Sequence, residues 1–216
     1  MSTSIAILTL TAASIGFFHT LLGPDHYLPF IMMARAGKWS MKKTSLVTIL
    51  CGIGHVLGSI VLGLIGIGLG LAVSGLEVFE GVRGDLAAWA LIAFGFVYMV
   101  WGIKRAVKDR KHGHCHLKTD GKKSMTPWIL FTIFVLGPCE PLIPLLMYPA
   151  YERSLIGVFI VAAVFSLVTI STMFVVVMFS SMGLAKIKVD WLEPYSHALA
   201  GAVIMISGMG IAFLGL

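Results

Sequence analysis

Charge is what this sequence has least of. Only 12% of its 216 residues are Asp, Glu, Lys or Arg, against about 25% in soluble domains. Hydrophobic residues make up 58%, and the mean hydropathy is +0.95. So few ionised groups cannot cover a water-facing surface, which excludes a soluble globular domain. Cysteine is nearly as scarce. Cys51, Cys115 and Cys139 are an odd number with no clustered spacing, so no disulfide framework is expected. The net charge of +6 does not point to nucleic acid, because the basic residues lie in short stretches between apolar runs. A basic leader is also missing. Met1-Ser2-Thr3-Ser4 passes straight into an apolar stretch, which reads as a first membrane helix and not as a cleaved signal peptide.

What is present is a series of long apolar runs. A crossing takes about 20 residues, and six spans are predicted, over about 4–34, 44–74, 86–104, 126–149, 155–183 and 195–216. The expected fold class is therefore an all-α membrane protein with six transmembrane helices. Basic residues crowd the first, third and fifth connections: Arg35, Lys38, Lys42 and Lys43; then Lys104, Arg105, Lys108, Arg110, Lys111, Lys118, Lys122 and Lys123; then Lys186 and Lys188. Arg83 and Arg153 alone fall on the other side. The positive-inside rule makes the crowded side cytoplasmic. The chain is thus expected to be a multi-pass protein of the cell membrane with both termini outside.

Two spans carry proline well inside them, at Gly23-Pro24 and Gly137-Pro138. Proline removes a backbone donor and clashes with the preceding turn, so both helices should break there. The breaks belong to a repeat. Residues 17–34 (FFHTLLGPDHYLPFIMMA) and 131–148 (FTIFVLGPCEPLIPLLMY) align without gaps and share Leu-Gly-Pro followed by a polar pair. Each half holds three spans, so the second enters the membrane inverted. The implied organisation is a first three-helix repeat over 1–104, a cytoplasmic His-rich basic loop over 105–125, and a second repeat over 126–216. An inverted three-plus-three repeat with a broken helix opening each half is a transporter architecture, with its site expected where the breaks meet. In the second span, Gly54-xxx-Gly58 offers a close helix contact.

The chemistry-bearing residues gather at these breaks. Spans one and four hold His19, Asp25, His26, Cys139 and Glu140, and span two holds His55. A carboxylate at mid-bilayer costs about 2.5–3.5 kcal/mol, so Asp25 and Glu140 are unlikely passengers; the bland alternative is that they cap half-helix ends or hydrogen-bond to nearby histidines. The repeat aligns Asp25 with Cys139 and His26 with Glu140. Imidazole, thiolate and carboxylate together suit a divalent transition metal. In an unbroken helix His19 and His26 would stand about 10 Å apart. Either the break folds them together or His19 is a second station on the path, and the second station is preferred. His112, His114, Cys115 and His116 form an auxiliary metal-capturing motif in the basic loop, for which a solvated polar loop is an equal alternative. His197 reads as an interfacial residue.

His19-Thr-Leu-Leu-Gly-Pro-Asp25-His26 resembles the His-x4-Asp-His signature of nickel/cobalt transporters, with one more residue in the spacer. Gly52-Ile-Gly-His55 resembles their Gly-His-Ser helix, with Val56 in place of the serine. The second half, Gly137-Pro-Cys-Glu-Pro141 with Pro144, is similar to the membrane families of the UreH-like, TauE/SafE and CcdA/DsbD types. This resemblance implies a non-enzymatic secondary transporter of a divalent metal ion of the nickel, cobalt, zinc or iron class. The metal would pass His19, Asp25, His26, His55, Cys139 and Glu140, with no resident cofactor and the bilayer as partner. Two alternatives accompany it: a TauE/SafE-type exporter of sulfite or an organic anion, and a CcdA-like thiol-disulfide carrier or accessory protein. The direction of transport, the coupling ion and the oligomeric state stay open.

Overall fold

The computed structural model of the protein describes residues 3–70, 73–111, 126–137, 139, 141–152, 154–186 and 193–215. It is all-helical, with no strand among the described residues: α1 (Thr3–Leu22), α2 (Leu28–Ala36), α3 (Met41–Gly68), α4 (Val73–Lys111), α5 (Thr126–Leu136), α6 (Leu142–Tyr151), α7 (Leu155–Lys186) and α8 (Ser196–Leu214), with 3-10 turns at Pro24–His26 and Glu193–Tyr195. Helices α1, α3, α4, α7 and α8 each contain a stretch long and apolar enough to cross a membrane, and α5 and α6 are shorter apolar helices. Large apolar side chains such as Leu10, Leu22, Phe159 and Phe213 point outward. In water such a surface would aggregate; in lipid it is the solvent-facing side.

Both expected breaks exist. Helix α1 closes where Gly23 N–H bonds to His19 O at 3.0 Å. Pro24 brings no N–H to carry the helix on, and the chain makes a single 3-10 turn before α2. Helix α5 closes where Gly137 N–H bonds to Ile133 O at 2.9 Å, and Leu142 N–H bonds to Cys139 O at 3.0 Å at the start of α6. Pro138 itself lies outside the described residues.

Packing sets the relative direction of the pieces. Gly16 of α1 lies against Phe165 and Thr169, and the Arg35 guanidinium at the end of α2 donates to Leu184 O, so α1–α2 runs parallel to α7. Gly54 of α3 lies against Phe131 and Val135 of α5, and Gly63 against Leu146 of α6, so α5–α6 runs parallel to α3. The expected close contact at Gly54-xxx-Gly58 is therefore with α5: a Cβ on Gly58 would come within 2.9 Å of Val135 O. Helices α4 and α8 cross antiparallel on small residues. A Cβ on Gly95 would meet Met205 N at 2.4 Å, and one on Gly201 would meet Met99 N at 2.3 Å. Backbone-to-backbone approach of this kind needs glycine.

One span differs markedly from the sequence reading. The third was expected to begin at 86, but α4 begins at Val73 and is 39 residues long, about 58 Å at 1.5 Å per residue. Glu77, Glu80, Arg83 and Asp85 hid its first turns from a hydropathy reading. At the other end α4 continues through 105–111, residues assigned to the loop by sequence.

Candidate metal site

The first break folds His19 and His26 onto each other. Their ring centroids are 4.8 Å apart, and His26 is 5.0 Å from His55 of α3. One nitrogen from each of the three rings falls within 4.8 Å of the other two. The preference for His19 as a separate station is thereby corrected. The 3-10 turn abandons the helical rise that would have kept the rings about 10 Å apart.

The orientation of two rings follows from their hydrogen bonds. His26 Nδ1 lies 3.1 Å from Asp25 Oδ1 and 3.2 Å from Gly23 O. A carbonyl oxygen can only accept, so Nδ1 carries the hydrogen and donates to this pair of oxygens, and Nε2 is left as the lone-pair nitrogen. His55 Nδ1 is 3.3 Å from Phe134 O and donates in the same way. The Nε2 atoms of His19, His26 and His55 are all buried and have no hydrogen-bond partner among the described residues. A buried polar atom without a partner costs about 1–3 kcal/mol. Three such atoms converging on one point fit a shared ligand far better than an apolar core. Three nitrogens held tetrahedrally on one metal at about 2.1 Å lie about 3.4 Å from one another, so a shift of about 1.4 Å closes the triad on an ion.

The three rings line a cavity of about 570 Å³. Gly23, Asp25 and Gly137 line it too, so both breaks border the same space, as do Gly84 and Asp85 of α4 and Gly215 beyond α8. Gly23 matters for its size. A Cβ there would lie 2.6 Å from His26 Nδ1 and 2.9 Å from Asp25 Oδ1, inside the hydrogen bond that orients the ring.

The remaining predicted residues are placed differently. Asp25 stands behind His26 and orients its ring through Nδ1. Cys139 is fully buried in the cluster of Val56, Leu142 and Phe165 and is absent from the cavity wall. Its backbone N–H donates to Ser59 Oγ at 3.1 Å and Glu80 Oε2 at 3.2 Å. Glu140, and His112, His114, Cys115 and His116 of the loop, lie outside the described residues. His197 is held by Tyr98 Oη, 2.7 Å from its Nδ1, against the Trp101 ring.

Three polar residues escaped the sequence reading. Glu80 is buried and pairs with Arg83, three residues on. Arg83 also donates to Val135 O at 2.9 Å and Gly137 O at 3.4 Å, and Ser59 donates to Glu80 Oε2 at 3.3 Å. The signal was available. Opposite charges at i,i+3 on one helix face neutralise each other, and Ser59 sits one turn beyond His55.

No protein-family model matches the chain, and no curated protein or solved structure matches it either.

Proposed function

We propose that the protein is a secondary transporter of a divalent transition-metal ion. The convergence of three buried, partnerless imidazole nitrogens carries this reading. Neutral imidazole is a ligand of borderline metals such as zinc, nickel, cobalt and iron, and a poor one for calcium or magnesium. His19, His26 and His55 would bind the ion directly, and Asp25 would fix the His26 tautomer as a carboxylate behind a metal-bound imidazole does. The resemblance of His19–His26 and His55 to nickel/cobalt transporter motifs points the same way.

The architecture behind this proposal is six crossings in an inverted three-plus-three arrangement, with α1–α2 and α5–α6 each taken as one broken crossing. It is supported by the parallel runs of α1–α2 with α7 and of α5–α6 with α3, and by the antiparallel α4–α8 pair. Those are the packings that exchanging the two halves would interconvert. Broken helices bordering one cavity are where transporters of this design bind their cargo. The charge bias of the connections places both termini outside the cell membrane.

An anion carrier would place Arg or Lys within the membrane or aim half-helix N-termini at its substrate. Arg83, half-buried beside the second break, has its guanidinium bound to Glu80 and to break carbonyls and is not part of the cavity wall. A thiol relay would need two cysteines in reach of each other. Cys51 and Cys139 are packed in different clusters.

The test is metal binding and flux by the purified protein alone. Anomalous scattering should place one transition-metal ion among the three Nε2 atoms, and proteoliposomes should accumulate or release that metal. His26→Ala should abolish both. Flux of sulfite, or binding that survives loss of any of the three histidines, would overturn the reading.

A further inference from the structure

The polar cluster at the second break is not used by metal binding, yet it holds that break from both sides. Arg83 donates to Val135 O in the last turn of α5 and to Gly137 O just after it, while Glu80 and Ser59 accept from Cys139 N–H beyond. The Glu80–Arg83 ion pair joins the two grips into one unit on α4, with Ser59 of α3 as its third corner. His55, one turn before Ser59, donates to Phe134 O in the same closing turn of α5. The metal site and this cluster thus hold neighbouring carbonyls of one helix end.

Two spaces meet at Pro141. The cavity lined by the three histidines has Pro141 in its wall, and a second cavity, of about 440 Å³, is lined by Pro141 together with Glu77, Glu80 of the cluster, Ile143 and Pro144. Anything that shifts the break relative to α4 changes the wall between them.

We propose that Glu80, Arg83 and Ser59 form a latch that locks the second break against α3 and α4, and that the latch must open for metal to leave the histidine cavity past Pro141. These are positioning residues: they touch the break and not the ion. The proposal rests on the transport reading above. It assigns that reading a moving part, the turn marked by Val135, Gly137 and Cys139, and a direction of exit toward the Glu77/Glu80-lined cavity.

Joining the break to α3 tests it directly. In a Cys51→Ala, Cys115→Ser background, Ser59→Cys would stand beside native Cys139, whose backbone nitrogen is 3.1 Å from the present hydroxyl. The pair is closed with iodine in proteoliposomes and reopened with a phosphine, with free thiols counted in denatured protein. The closed form should bind metal within about twofold of the reduced form while flux falls at least about tenfold and returns on reduction. Equal flux in both forms would overturn the latch alone, as would failure of the thiols to join. Absence of metal flux in the unmodified protein would overturn the transport reading and the latch with it. A second variant, Glu80→Gln with Arg83→Gln, keeps shape and removes the ion pair. The latch requires maximal flux to change by about threefold or more with affinity within about twofold. A parallel loss of both would show a scaffold and not a latch.

Discussion

The two helix breaks share Leu-Gly-Pro and border the same cavity, yet they are chemically opposite. At the first, the local chain supplies its own partners: Gly23 O and Asp25 hold His26 Nδ1, and Nε2 atoms are left facing inward without partners. At the second, partners arrive from outside. Ser59, Glu80 and Arg83 satisfy the backbone on either side, and the Cys139 side chain is packed among apolar residues. The two breaks thus divide the labour, one presenting partnerless imidazole nitrogens and the other being held. The unsatisfied end is the one that gains from an ion.

Removing a ligand should have the largest effect. His26→Ala or His55→Ala takes away one of three Nε2 donors and should weaken metal binding by more than about 100-fold, beyond what loss of an orienting partner gives. Calorimetry on purified protein, with elution volume as the check on folding, would measure it. If the same loss followed from Cys139→Ser, the division between the breaks would be wrong.

Asp25→Asn should come next. The amide oxygen can still accept from His26 Nδ1 at the present 3.1 Å, but without the charge that strengthens the ligand. Affinity should fall about 10–100-fold without being abolished. The same variant should not destabilise the protein in membranes, because a neutral side chain is cheaper there than a carboxylate. A thermal melt in detergent reads the second effect independently of the first. Loss of binding as complete as in His26→Ala would make Asp25 a direct ligand.

How much of this was legible in the sequence depends on what kind of information each feature needs. The helices and both breaks were, because long apolar runs and Pro24 and Pro138 are local signals. His19, His26 and His55 were identified as residues, but their convergence was not. Whether seven residues separate two rings by about 10 Å or bring them together depends on the backbone of one turn, and proline says that a helix stops without saying how. Cys139 stands apart from the three rings for a related reason. Alignment with Asp25 fixes its place in the repeat, but a side chain's direction is set by its neighbours, here Val56, Leu142 and Phe165. The first turns of α4 were missed because a hydropathy window treats Glu80 and Arg83 as two charges, whereas the fold treats them as one neutral pair.

The smallest effects sharpen the comparison most, because they probe equivalent glycines. Gly23 and Gly137 align in the repeat, and each precedes its proline. A methyl group at Gly23 would stand 2.6 Å from His26 Nδ1 and 2.9 Å from Asp25 Oδ1, closer than real Cβ contacts allow. At Gly137 the nearest atoms would be Phe134 O at 3.3 Å and His55 Nδ1 at 3.4 Å, tight but open to a shift of a few tenths of an ångström. Neither glycine has a positive φ, so the backbone conformation admits a side chain at both. The difference is one of space, and Gly23 is the tighter, with His19 O at 3.0 Å as well. Gly23→Ala should push the His26 ring off Asp25 and lower metal affinity about tenfold, toward the loss expected of an orienting partner. Gly137→Ala should change it by no more than about threefold, since His55 keeps its bond to Phe134 O. Parallel titrations of the two variants would measure both. Equal losses would mean that the two breaks contribute alike to the site, and the contrast between a presenting break and a held one would have to be given up.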